Sequence, residues 1–126
     1  MDLFQIKGTK SIPIEVAELD KISQAFQQAM RLSYDIFGVD AFRKTANVNV
    51  KKINKPLFEI ISVCFAQLNL LEREKLLYQQ NDFKNAFVEL QKDGIFWNAI
   101  TTSTASKDSV KKRHELFREL INRFIR

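Results

Sequence analysis

The sequence predicts an all-α fold, a compact helical bundle of about five main helices with short extra turns. Three observations predict it. Apolar residues recur at intervals of three, four and seven over most of the chain, the spacing that keeps side chains on one face of a helix. Only three glycines and two prolines interrupt 126 residues, too few for the many tight turns of an all-β protein. Residues suited to helix capping stand ahead of several periodic segments. The length is that of a single domain, residues 1–126, able to bury a sizeable core. A hydrophobic fraction of 45% that includes eleven phenylalanines supplies the material for that core.

Residues 1–14 read as an irregular or extended segment, since Pro13 disfavours helical backbone at Ile12. The spacing predicts a helix from Glu15 to Phe37, with Leu19, Ile22, Phe26, Met30 and Phe37 on one face. Glu15, Glu18 and Asp20 lie near the positive end of its dipole, and Gly38 suits a left-handed residue closing it. Val39 to Lys44 reads as a short helical turn and TANVNV, residues 45–50, as a loop. Asn54 is placed to cap the next helix, with Pro56 in its first turn, where a missing N–H costs nothing. Leu57, Phe58, Ile61, Phe65 and Leu68 form an apolar stripe there, widened by Val63 and Cys64, as in a central helix with several neighbours. Asn69 with Glu72 three residues on is a capping-box pattern for a helix carrying Leu76, Leu77 and Tyr78. Asp82 is expected to cap a further helix with Phe83, Phe87 and Leu90 on one face and Gly94 at its end. IFWNAI, residues 95–100, is short and apolar; TTSTASKD, residues 101–108, is a polar loop whose hydroxyls suit capping of the last helix. In that helix Val110, Phe117, Leu120, Phe124 and Ile125 follow helical spacing. One core is expected to hold Phe58, Ile61, Phe65, Phe87, Phe117 and Phe124.

The residues for familiar chemistries are sparse. The one histidine, His114, reads as a structural or surface residue beside Arg113 at the edge of the last helix, since nothing in the sequence places beside it the carboxylate and nucleophile that a catalytic histidine needs. One histidine and one cysteine do not make a zinc site, and no acidic cluster has calcium-loop spacing. Gly8, Gly38 and Gly94 stand far apart, so there is no glycine-rich phosphate loop. Cys64 and Trp97 read as buried packing residues. No catalytic, cofactor-binding or metal-ligating residue is therefore expected. The lone cysteine excludes an internal disulfide and fits a reducing cytoplasm, and no apolar run is long enough for a membrane span.

Charge is the remaining signal. The net charge is +5, and it is concentrated. Arg43, Lys44, Lys51, Lys52 and Lys55 fall in a stretch without acids, and Lys107, Lys111, Lys112, Arg113, Arg118, Arg123 and Arg126 outnumber the acids of the last helix. Lys107, Lys111 and Arg118 are spaced to share a helix face. Arg43, Lys51, Lys52, Lys55, Lys111, Lys112 and Arg118 are the candidate nucleic-acid-binding residues, suited to phosphates rather than to base edges.

IFGVDAFRK, then INKPLFEIISVCFAQL, then FWNAITTSTASKDSVKKRHELFRELI occur in an order that resembles a known family over about residues 26–125. They look like the helical C-terminal part of the ParB-like, DGQQR-motif proteins. That family includes the GmrS-type portion of GmrSD modification-dependent (type IV) restriction systems and related phage-defence proteins. The matching positions are Phe37-Gly38, Ala41-Phe42-Arg43, the run Ile53, Asn54, Lys55, Leu57, Phe58, Glu59, and then Phe96, Ala99, Ile100, Thr101, Thr104 and Arg113. The resemblance implies a helical fold here. It assigns the family's activity to a DGQQR-bearing domain, and in some members to an HNH nuclease, whose motifs this sequence lacks. It thus implies a non-catalytic helical module of a DNA restriction or phage-defence protein, a fragment or a standalone remnant. Such a module supports a nuclease or NTPase core, with a ParB-like or HNH nuclease domain or subunit as partner. DNA, held weakly and non-specifically on a basic surface, is the second partner. The alternative is a protein-docking or assembly domain that never touches nucleic acid.

Overall fold

The structure, a computed structural model, describes residues 14–44 and 52–126. Helix α1 spans Ile14–Phe37, α2 Lys55–Ala66, α3 Leu70–Tyr78, α4 Gln80–Lys92, α5 Gly94–Thr101 and α6 Lys107–Ile125, with a single 3-10 turn at Gly38–Asp40. Among the described residues there is no strand, and the all-α expectation is met with six helices rather than five. The extra one is α5, formed by the short apolar IFWNAI segment. The expectations on residues 1–13, on TANVNV and on Lys51 lie outside the described residues.

The caps explain most boundaries. The Asn54 Oδ1 accepts from the Leu57 N–H at 2.9 Å, starting α2 with Pro56 in its first turn. Asn69 and Glu72 form the reciprocal capping box of α3, at 2.8 and 2.9 Å. Ser106 is the hydroxyl that caps α6, accepting from the Ser109 N–H at 3.1 Å. Gly38 has φ +61°, a conformation open to glycine at no steric cost, and so turns the chain out of α1. Asp82 does not cap α4: that helix begins at Gln80 without a side-chain cap, and Asp82 stands inside its first turn, where its charge faces the helix dipole. Gly94 does not end α4 but opens α5. Asp93 separates the two helices, its carboxylate accepting from the Ile95 and Phe96 N–H groups.

The core lies between α2, α4, α6 and the C-terminal half of α1. Phe65 is at its centre, with ring centroids 6.4 Å from Phe37, 6.3 Å from Phe83 and 5.9 Å from Phe117. Phe87 extends the cluster to Phe96 and Phe117, and half-buried Phe124 closes it against Phe83. One expectation about burial is corrected. Phe58 is outside this core; it is partly exposed and sits edge-on to Phe26 and Phe42. On α1 the buried residues are Ala29, Leu32, Ser33 and Ile36, whereas Leu19, Ile22 and Phe26 are exposed. The apolar stripe is continuous along the helix, but the described residues bury only its C-terminal half.

Candidate functional site: the seam between α2 and α6

Helices α2 and α6 pack side by side and run in the same direction. Glu59 meets Arg113 and His114, and six residues further along α2 Phe65 meets Phe117. At the first contact an ion-pair node ties four segments together. The Arg113 guanidinium donates to Glu59 Oε1 through Nε at 3.2 Å and Nη2 at 2.8 Å. Its Nη1 donates to the carbonyls of Ala99 (3.1 Å) and Thr104 (2.7 Å). His114 Nε2 lies 3.1 Å from Glu59 Oε2. Asn54, while capping α2, donates through Nδ2 to the Ile100 carbonyl at 3.0 Å. The Glu59 side chain is 41% exposed and that of Arg113 only 6%. Partial burial pushes the Glu59 carboxyl up, but the hydrogen bonds and charges of Arg113 and His114 outweigh it and hold the group below its ordinary range.

Of the structural and surface roles open to His114, the structure shows the structural one, half-buried against Glu59, and Arg113 is a buried structural cation. Both were legible in part. Glu59 is the single carboxylate in an apolar run, and Arg113 stands four residues before Phe117 and seven before Leu120, on the buried stripe of α6. Six of the positions quoted for the resemblance take part in these bonds: Glu59, Ala99, Thr104 and Arg113 in the node, and Asn54 and Ile100 in the neighbouring bond.

The candidate phosphate-binding residues divide around this node. Lys55 stands one turn before Glu59 on α2 and Lys111 three residues before His114 on α6, both exposed. One turn after His114 stands exposed Arg118, close enough to α2 that its charge draws the Cys64 thiol down, against the burial that pushes that thiol up overall. Lys52 is exposed just ahead of α2. Lys112 is turned away, into a separate depression between α5 and α6 with Asn98, Thr102 and Asp108. Arg43 is brought to the start of α2 by the bond from the Asn54 N–H to the Phe42 carbonyl, at 2.8 Å. It is half-buried, and its Nε is enclosed with no hydrogen-bond partner among the described residues. Phe42 has φ +67°, a strained value for a bulky side chain, which aims its ring at Phe58. Lys44 lies 5.1 Å over the Trp97 ring, which leaves Trp97 half-buried rather than enclosed.

Among the described residues no group of three or more His, Cys, Asp or Glu stands together to hold a metal ion, and no helix is long and apolar enough to cross a membrane. The Glu59 carboxylate is already taken up by two cationic or hydrogen-bonding partners. What the arrangement offers chemically is a set of exposed cations, Lys52, Lys55, Lys111 and Arg118, on or just ahead of the helices that the ion-pair node joins. The chain matches no family model, no curated protein and no solved structure.

Proposed function

We propose that this chain is a non-catalytic helical module of a restriction or phage-defence protein, one that supports a nuclease or NTPase core and lays the α2–α6 seam along a nucleic-acid backbone. The observation that carries the reading is the packing of α2 against α6 at Glu59, Arg113 and His114, with exposed Lys55 one turn before Glu59 and exposed Lys111 and Arg118 one turn either side of His114. Cations in a row attract phosphates without reading bases, so binding is weak and nearly sequence-independent, about 10⁻⁴–10⁻⁶ M at physiological salt. The resemblance to the DGQQR-motif proteins is what supports the biological setting.

The test is fluorescence anisotropy of a labelled DNA duplex across a salt series. With roughly four phosphates neutralised, the log–log slope is expected near −3.6, at about −0.9 per contact. Replacing Lys55 and Lys111 together by alanine flattens the slope by up to about two units, while Lys112→Ala leaves it unchanged. Absence of binding at low salt, or equal effects of the seam and Lys112 variants, overturns the reading.

A further inference from the structure

Trp97 is the one tryptophan of the chain. It packs against the core from α5 but is not enclosed by it. The residue is half-buried, and the Lys44 ammonium lies over its ring, 5.1 Å from the centroid. The group over that face is thus a hydrated charge on a flexible stem, not an apolar neighbour. Such a contact is weak where solvent reaches it, so another group can take the place of the lysine. The segments around the ring are held together by Asn54. Its N–H donates to the Phe42 carbonyl at 2.8 Å, its Nδ2 donates to the Ile100 carbonyl at 3.0 Å, and its Oδ1 caps α2. Residues 42–44, the start of α2 and the end of α5 therefore meet at one place. They bring half-buried Arg43 and Lys44 and exposed Lys52 and Lys55 to the same end of the molecule as Trp97. The acids of the adjoining turns are Asp40 and Asp93, and the Asp93 carboxylate is already engaged by the Ile95 and Phe96 N–H groups.

An aromatic face beside several cations is complementary to a ligand that carries flat rings along a negatively charged backbone. Nucleic acid has that chemistry, and the stacking decides its state. In a duplex each base is covered on both faces by its neighbours. In a single strand a base can be splayed out and laid on an aromatic side chain. We infer that Trp97 is a stacking platform for one base of a single-stranded nucleic acid, with Lys44 leaving the ring to pair with an adjoining phosphate. Every base has a face to stack, so the contact adds affinity without sequence preference. The inference rests on the reading of this chain as a nucleic-acid-binding module. It adds to that reading the strand state of the ligand and a contact that lies outside the α2–α6 seam.

Because no other tryptophan is present, the emission of Trp97 is itself the readout. The probe is an oligothymidylate of about 12 nucleotides, titrated into the full chain at low salt. A base stacked on the indole quenches it, so most of the emission is expected to be lost, with saturation. Two controls are expected to leave most of it: heparin, an anionic chain without bases, and the duplex of the same oligonucleotide with oligodeoxyadenylate. In anisotropy with labelled oligothymidylate, Trp97→Leu should lose about tenfold in affinity, whereas Trp97→Phe, which keeps a ring to stack on, should lose less than about threefold. Lys44→Ala should flatten the salt slope by about 0.7, the single-strand value for one phosphate. The quenching is measured on the unaltered chain, so it decides the matter even where Trp97→Leu weakens the fold. Unchanged emission at saturating oligothymidylate overturns the inference. So do equal quenching by heparin or by the duplex, and equal losses in the leucine and phenylalanine variants. The two readings fail separately. Duplex binding that depends on Lys55 and Lys111, without quenching by the single strand, removes the platform and leaves the seam. Quenching by the single strand without duplex binding does the reverse.

Discussion

Arg113 shows how one side chain acquires a role that its position in sequence conceals. A guanidinium with a 6% exposed side chain must have its donors satisfied, and it finds them in Glu59, Ala99 and Thr104, on three other segments. A lysine has no fork to divide between two carbonyls and a carboxylate. Arg113→Lys is therefore expected to destabilise the protein by about 1–3 kcal/mol in urea denaturation, more than Glu59→Gln, which solvent screening holds to about 1 kcal/mol. The pH dependence has a definite sign. The Glu59 pKa is lower in the folded chain than its ordinary 4.5, so its contribution is present above the unfolded value and is lost as the pH falls through the lowered folded one. The stability gap between the protein and Glu59→Gln should hold from neutral pH down to about 4.5 and narrow below it. A gap that widens in acid would refute the assignment.

Among the elements, α2 is the one that organises the others, and Asn54 sets its start. Its side chain does two things at once: Oδ1 caps α2 and Nδ2 holds the end of α5 through the Ile100 carbonyl. Serine keeps the cap and loses the second bond; alanine loses both. Asn54→Ser should cost about 1 kcal/mol, the value of one partly buried hydrogen bond. Asn54→Ala should cost a further 0.5–2 kcal/mol or so for the cap. Chemical denaturation of the two variants reads the difference directly, and equal losses would mean that the tie to α5 contributes nothing. The start of α4 makes the contrasting case. Asp82 has the right residue type for a cap, but Gln79 closes α3 and leads straight into α4, so the helix is already under way when the chain reaches Asp82.

At the scale of the whole molecule, the aromatic cluster holds the bundle together, and burial separates phenylalanines that sequence spacing treats alike. Phe65 is fully enclosed among Phe37, Phe83 and Phe117, so Phe65→Ala removes packing on every side and is expected to cost about 3–5 kcal/mol. Phe58, seven residues earlier on the same helix, is 37% exposed, and its replacement by alanine should cost well under half as much. Thermal or denaturant unfolding of the pair checks this; similar losses would place Phe58 in the core after all.

By itself the sequence determined the helices, most of their ends and the absence of the familiar catalytic motifs. Those properties rest on local physics: periodicity of apolar residues, side chains that cap within three positions, and the backbone preferences of Gly38 and Pro56. Only the tertiary structure decided which part of each apolar stripe is covered. Leu19, Ile22 and Phe26 continue the same stripe as Ile36, and nothing in their spacing says that the bundle ends before it reaches them. It also decided that Glu59 and Arg113, 54 residues apart, would meet, and that Lys112 would face a depression between α5 and α6. Pairings of this kind depend on how helices are laid against one another, a choice made by the sum of many weak contacts across the molecule, and no single stretch of sequence carries it.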